Sequence, residues 1–185
     1  NYIQVFIDTN TNTPGDEVLF STQLYDPDDP TPPQITVIGG TDNDRLIVDH
    51  GGTGTTANNG FLNRTINLAG DGGVDSLSIT GDPGFVSART TYRVGATEDA
   101  GQWIIDPDDS GGAGAVVGSL GTDAMRVVFA GLEPADDDTP AAVFDVIYDA
   151  TGDNDVANIV NGGLLNGAQS IQVTDVSGTF ETFRF

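Results

Sequence analysis

Cysteine and lysine are both absent from the 185 residues, and histidine, tryptophan and methionine occur once each. Without cysteine, neither a disulfide framework nor a thiolate metal site can form. Secretion stays open, because a large repetitive secreted chain can be stable without disulfides. Without lysine, the positive charge reduces to six arginines against 24 Asp and 4 Glu, a formal net charge of −22. Such a chain offers no cationic footprint for phosphates, so nucleic acid is not an expected partner. The single histidine, His50, follows Asp49 at the end of a strand-like run. With no second histidine, no lysine and no G-x-S-x-G elbow, a charge-relay triad would rest on this one residue. His50 therefore reads as a polar strand-end residue, and the chain as a non-enzyme. No run approaches the roughly 18 apolar residues of a membrane span, so membrane insertion is not expected. Helical periodicity is missing too. Its nearest approach, residues 139–150, mixes Val143, Asp145, Ile147 and Asp149 on one face, and its branched residues favour a strand.

What is present is a succession of short apolar runs. They include YIQVFID (2–8), EVLFSTQLYD (17–26), QITVIG (34–39), RLIVD (45–49), RTINLAG (64–70) and SLSITG (76–81). The second half continues with TTYRVG (90–95), QWIID (102–106), MRVVFAG (125–131), AVFDVIYD (142–149), VANIVNG (156–162), SIQVTDV (170–176) and FETFRF (180–185). Gly, Pro, Asn or Asp bounds each run, which is strand punctuation. The expected class is all-β.

Three of the runs share a pattern. Asp44 is followed by Leu46 and Val48, Asp75 by Leu77 and Ile79, and Asp155 by Ala157 and Ile159, each after a Gly- and Asp-rich turn. Alternate residues of a strand share a face, so each unit is a turn plus a strand with two inward apolar residues. A unit of that kind cannot bury its face alone and needs a stacked neighbour. A parallel β-helix (β-solenoid) over residues 34–185 follows as the expected architecture. Residues 1–33 are expected to form a β hairpin that caps it or passes a strand to the next unit. An antiparallel β-sandwich is the alternative. The long Gly-rich stretches 51–60 and 107–122 read as loops protruding from a coil. The aromatic residues, spread along strands, read as core, and the alternation of Phe183 and Phe185 reads as an open apolar end.

The acidic turns raise the question of calcium, a hard cation that takes six to eight oxygen ligands. Asp42 and Asp44 sit in GGTDNDRLI (39–47), Asp71 and Asp75 in GDGGVDSLS (70–78), and Asp153 and Asp155 in ATGDNDVAN (150–158). A second candidate is DTNTNTPGDE (8–17), where Asp8, Asn10 and Asn12 alternate ahead of Asp16. The other reading of all these residues is that their side chains cap backbone N–H groups in turns. The Pro-led turns DPDDP (26–30) and DPDDS (106–110) read as solvated.

GGTDNDRLI and GDGGVDSLS resemble the RTX nonapeptide G-G-x-G-x-D-x-U-x, although Asp42 and Asp71 replace glycines of that pattern. Together with RVVFAGLEPADDD and GTFETFRF, they resemble the Gly- and Asp-rich repeat modules of giant secreted bacterial surface proteins. The resemblance covers residues 34–185. It implies a β-helical, extracellular or cell-surface module with a structural or adhesive role, bound calcium, and no catalytic residues. The expected function is self-association, with copies of itself or neighbouring repeats, into a filament, stalk or surface layer. Two alternatives stand beside it. One is a calcium-dependent adhesin. The other is a β-helix that binds acidic polysaccharide through Arg45, Arg64, Arg89 and Arg93.

Overall fold

The computed structural model describes residues 34–50, 62–81, 84–109, 124–132, 134–148, 156–176, 180 and 182–185, together with the strand paths of 2–7 and 18–24. The chain divides into two compact units, Asn1–Pro32 and Pro33–Phe185. In the first, β1 (Tyr2–Ile7) pairs antiparallel with β2 (Val18–Leu24), with a register shift between Val5 and Phe6.

The second unit holds two six-stranded sheets. Sheet I comprises β3 (Ile35–Ile38), β5 (Thr65–Ala69), β7 (Arg89–Val94), β8 (Ala100–Asp106), β9 (Met125–Ala130) and β11 (Phe144–Ile147), in the order β11-β7-β8-β9-β5-β3. Sheet II comprises β4 (Arg45–Asp49), β6 (Ser76–Thr80), β10 (Ala135–Asp137), β12 (Ala157–Leu165), β13 (Ala168–Asp175) and β14 (Phe183–Arg184), in the order β12-β13-β14-β10-β6-β4. All the described elements are strands, so the class is all-β. Both sheets are mixed. β3-β5-β9 and β4-β6-β10-β14 run parallel, whereas β7-β8-β9 and β12-β13-β14 are joined antiparallel.

The first two rungs of the parallel part are one common step apart in both sheets, and the next step is longer, 61 positions from Ile66 to Val127 and 58 from Leu77 to Ala135. Ile35 lies opposite Ile66 and Leu46 opposite Leu77, so both strands of one rung meet partners 31 positions on. The chain visits sheet I, then sheet II, then sheet I again, and the equivalent residues line up in rows. In sheet II the rows are Leu46, Leu77, Ala135 and Val48, Ile79, Asp137. In sheet I, Ile35, Ile66 and Val127 form one row that continues through Trp103 and Tyr92. The period-2 pattern turns each row toward the space between the sheets. There the apolar rows merge with Phe180 and Phe183 into one core. Tyr92 of sheet I stacks on Phe183 of sheet II at 4.0 Å, and Trp103 meets Phe183 edge-on at 5.6 Å. Such aromatic contacts add about 0.5–1.5 kcal/mol each beyond the area they bury.

Two expectations are corrected here. The pattern at Asp155, Ala157 and Ile159 is not a third rung. β12 pairs antiparallel with β13, and Ile159 is 75% exposed. The third rung of sheet II is β10, where the inward pair is Ala135 and Asp137. The second correction concerns Phe183, which does not close an open end: β14 lies between β10 and β13, and Phe183 is fully buried. His50 stands directly after β4, as expected of a polar strand-end residue, and it is buried because β6 and the segment after β10 fold over it.

Candidate functional site

The two acidic corners, 39–44 and 70–75, stack on each other one step apart. Gly39 N donates to Ala69 O (2.8 Å) and Gly70 N to Ala130 O (2.9 Å), the same bond repeated one rung later. Between the corners, Gly72 N donates to Gly40 O, and Ser76 N to Asp44 O. The side chains complete the joint. Gly40 N donates to Asp44 Oδ2 (2.6 Å), Asp44 N to Asp75 Oδ1 (2.8 Å), and Val74 N to Asn43 Oδ1 (2.8 Å). The Asp44 and Asp75 carboxylates therefore satisfy backbone N–H groups left open by the turn, the capping use of Asp. Asp75 is buried, so its acceptor is shielded from competing water.

Glycine is needed at the corner because the backbone and the carboxylate approach so closely. A Cβ on Gly70 would lie 2.0 Å from Gly131 O and 2.3 Å from Asp75 Oδ2. A Cβ on Gly39 would lie 2.5 Å from Gly70 O and 2.8 Å from Asp44 Oδ2. The Gly–Asp spacing of the repeat is thus a steric pairing between a missing side chain and the acid that fills its space.

Asp42 and Asp71 occupy the same corners, Asp71 with a left-handed φ of 78°. Among the described residues, no three acidic or histidine side chains converge on a common point that could hold a metal ion. Asp8, Asn10, Asn12, Asp16, Asp153 and Asp155 lie outside the described residues, as do the stretches 51–61 and 110–123 and the turn DPDDP.

A buried polar chain runs between the sheets. Trp103 Nε1 on β8 donates to Asp137 Oδ2 (2.7 Å), Thr139 N donates to Asp137 Oδ1 (2.8 Å), and Thr139 Oγ1 lies 2.7 Å from His50 Nε2. Asp137 stands in the row of Val48 and Ile79, where the other rungs place an apolar side chain. Burial pushes its carboxyl up to about 7. The hydrogen bonds from Thr139 and Trp103 pull the other way, and Asp138 adds a smaller upward push. Gly81 makes room for the histidine: a Cβ there would lie 2.0 Å from His50 Cε1. His50 also meets Phe85 edge-on at 5.1 Å. This chain was missed in the sequence. Its one signal was the acidic run Asp136, Asp137 and Asp138, which follows Pro134 and Ala135.

The turn at 106–109 is more structured than its composition suggests. Asp106 is buried and accepts from Asp108 N and Asp109 N. Asp109 pairs with Arg89, which also holds Asp145 of β11. The arginine keeps the Asp109 carboxyl below its ordinary value. Arg89 is thereby committed to two carboxylates of its own chain, and Arg64 is buried with its guanidinium on Asn63.

Comparison with protein-family models, with curated proteins and with solved structures finds no match to this chain.

Proposed function

We propose that this chain is a non-enzymatic structural module, extracellular or at the cell surface, that joins copies of itself or neighbouring repeats into an extended assembly. We further propose that its parallel rungs constitute a short β-solenoid interrupted by the β7–β8 and β12–β13 hairpins. The observation that carries this reading is the 31-residue step between the first two rungs: Gly39 repeats at Gly70, with the same backbone bond to the following rung, and Asp44 repeats at Asp75. A joint that works between rungs extends along an axis by repetition, and its terminal rungs are left with strand edges to pair. Among the described residues, β3 and β4 each have one neighbour, and Ile38 and Ile47 on them are exposed.

The test is electron microscopy together with analytical ultracentrifugation of the purified chain, with and without a chelator. Ordered polymers or concentration-dependent oligomers are expected. Dispersal by the chelator assigns cohesion to calcium, and persistence assigns it to strand edges and N–H-capped corners. Monomers under both conditions overturn the reading.

A further inference from the structure

In a chain of net charge −22, the nineteen residues Val156 to Thr174 contain no charged side chain. They build nearly all of β12 and β13, and β12 is the edge of sheet II. Solvent-facing edges are ordinarily guarded by charge, proline or brevity. β12 has nine residues and none of these guards. It also presents apolar side chains to water: Ile159 is 75% exposed, Leu164 68% and Val160 44%, and Ile171 of the adjoining β13 is 45% exposed.

The side chains say which face is unfinished. Ile159 lies opposite Val173, and Asn161 opposite Ile171. Directly opposed residues share a face, so Ile159 and Ile171 lie on the side of buried Val173, the side toward the core. Sheet I ends at β11, whose Phe144 stacks on Phe185 beside β14. β12 therefore overhangs, with its core-facing isoleucine uncovered.

The backbone gives the register. Val176 N donates to Val156 O, so residues 156, 158 and 160 point their peptide groups at β13. Ala157, Ile159 and Asn161 then point theirs outward from the edge. Two copies of β12 placed antiparallel about a two-fold axis at Ile159 bring Ala157 opposite Asn161 of the other copy and Ile159 opposite Ile159. In that register, all three outward residues meet outward residues, forming about six backbone hydrogen bonds. The interface is isologous, as closed two-fold pairs require. Charge names the partner: two copies of a strongly acidic chain repel over most of their surface, and this uncharged strip lets them approach without opposing carboxylates.

We propose that β12 is a self-association edge, pairing with β12 of a second copy about Ile159 to make one continuous sheet. This rests on the structural reading above and names the surface it uses. Because the chain has no cysteine, the test is clean. Hydrogen-bonded antiparallel partners have Cα atoms about 5.5 Å apart, within the roughly 4.4–6.8 Å of a disulfide. Ile159→Cys should cross-link to a dimer on mild oxidation. Val86→Cys, also solvent-exposed in the monomer (57%) and outside β12, should not. Ile159→Lys should weaken self-association by about 100-fold or more in sedimentation, with Trp103 fluorescence unchanged as evidence of an intact fold. If Ile159→Lys assembles like the wild type, or both cysteine variants cross-link equally, the β12 inference falls while self-association stands. If the wild type stays monomeric to its solubility limit, both fall.

Discussion

Asp137 makes the stability of this chain depend on pH in an unusual direction. Its folded-state carboxyl is raised from 3.8 to about 7 by burial, so the folded state holds a proton that the unfolded chain has already released. Stability from this group is complete below the unfolded value and is lost as pH rises through the folded one. The window is therefore about pH 4 to 7. At 1.36 kcal/mol per unit, a shift of some three units amounts to about 4 kcal/mol, a large share of a domain's total. Contributions from other groups cancel when wild type is compared with Asp137→Asn. Asparagine cannot ionise and keeps one acceptor for Trp103 Nε1 or Thr139 N. Urea unfolding followed by the fluorescence of Trp103, the only tryptophan, reports on this site directly. The stability of wild type minus that of Asp137→Asn should fall by about 1.4 kcal/mol per pH unit across the window and level off on either side. A difference that stays flat, or that grows with pH, would refute the buried-acid argument.

The corners lend themselves to two further experiments. Gly70→Ala should cost at least about 2 kcal/mol, because its Cβ meets the Gly131 carbonyl and the Asp75 carboxylate. Gly40→Ala, whose Cβ would meet nothing closer than 3.9 Å, should stay within about 1 kcal/mol by the same denaturation assay. Asp75→Ala leaves the Asp44 N–H without its acceptor and should cost about 1–2 kcal/mol, whereas Asp75→Asn retains an Oδ1 and should cost less. Calcium should then shift the melting temperature of wild type and of an Asp44→Asn, Asp75→Asn variant equally. A shift abolished by the double variant would assign the ion to these corners.

The described strands other than β10, and the first two rungs, were legible in the sequence because they depend on local rules. Alternation sets a strand's buried face, and Gly with Asp sets the corner, so Leu46 with Leu77 and Val48 with Ile79 could be paired by spacing alone. The hairpin turn was legible too, in principle. Asn166 and Gly167 both have positive φ, the signature of a two-residue hairpin. That signal outranks the Asp–apolar spacing that made 155–159 look like another rung. The rest depended on tertiary structure. Whether an Asp at the inward position of a strand is tolerable depends on what crosses above it, and only the opposite sheet brings the Trp103 N–H to Asp137. His50 is buried for the same reason: the Thr139 that pairs with it is 89 positions away in the sequence. Spacing along a chain specifies which residues share a face, but the environment of a face is set by the element packed against it, and that is a long-range fact.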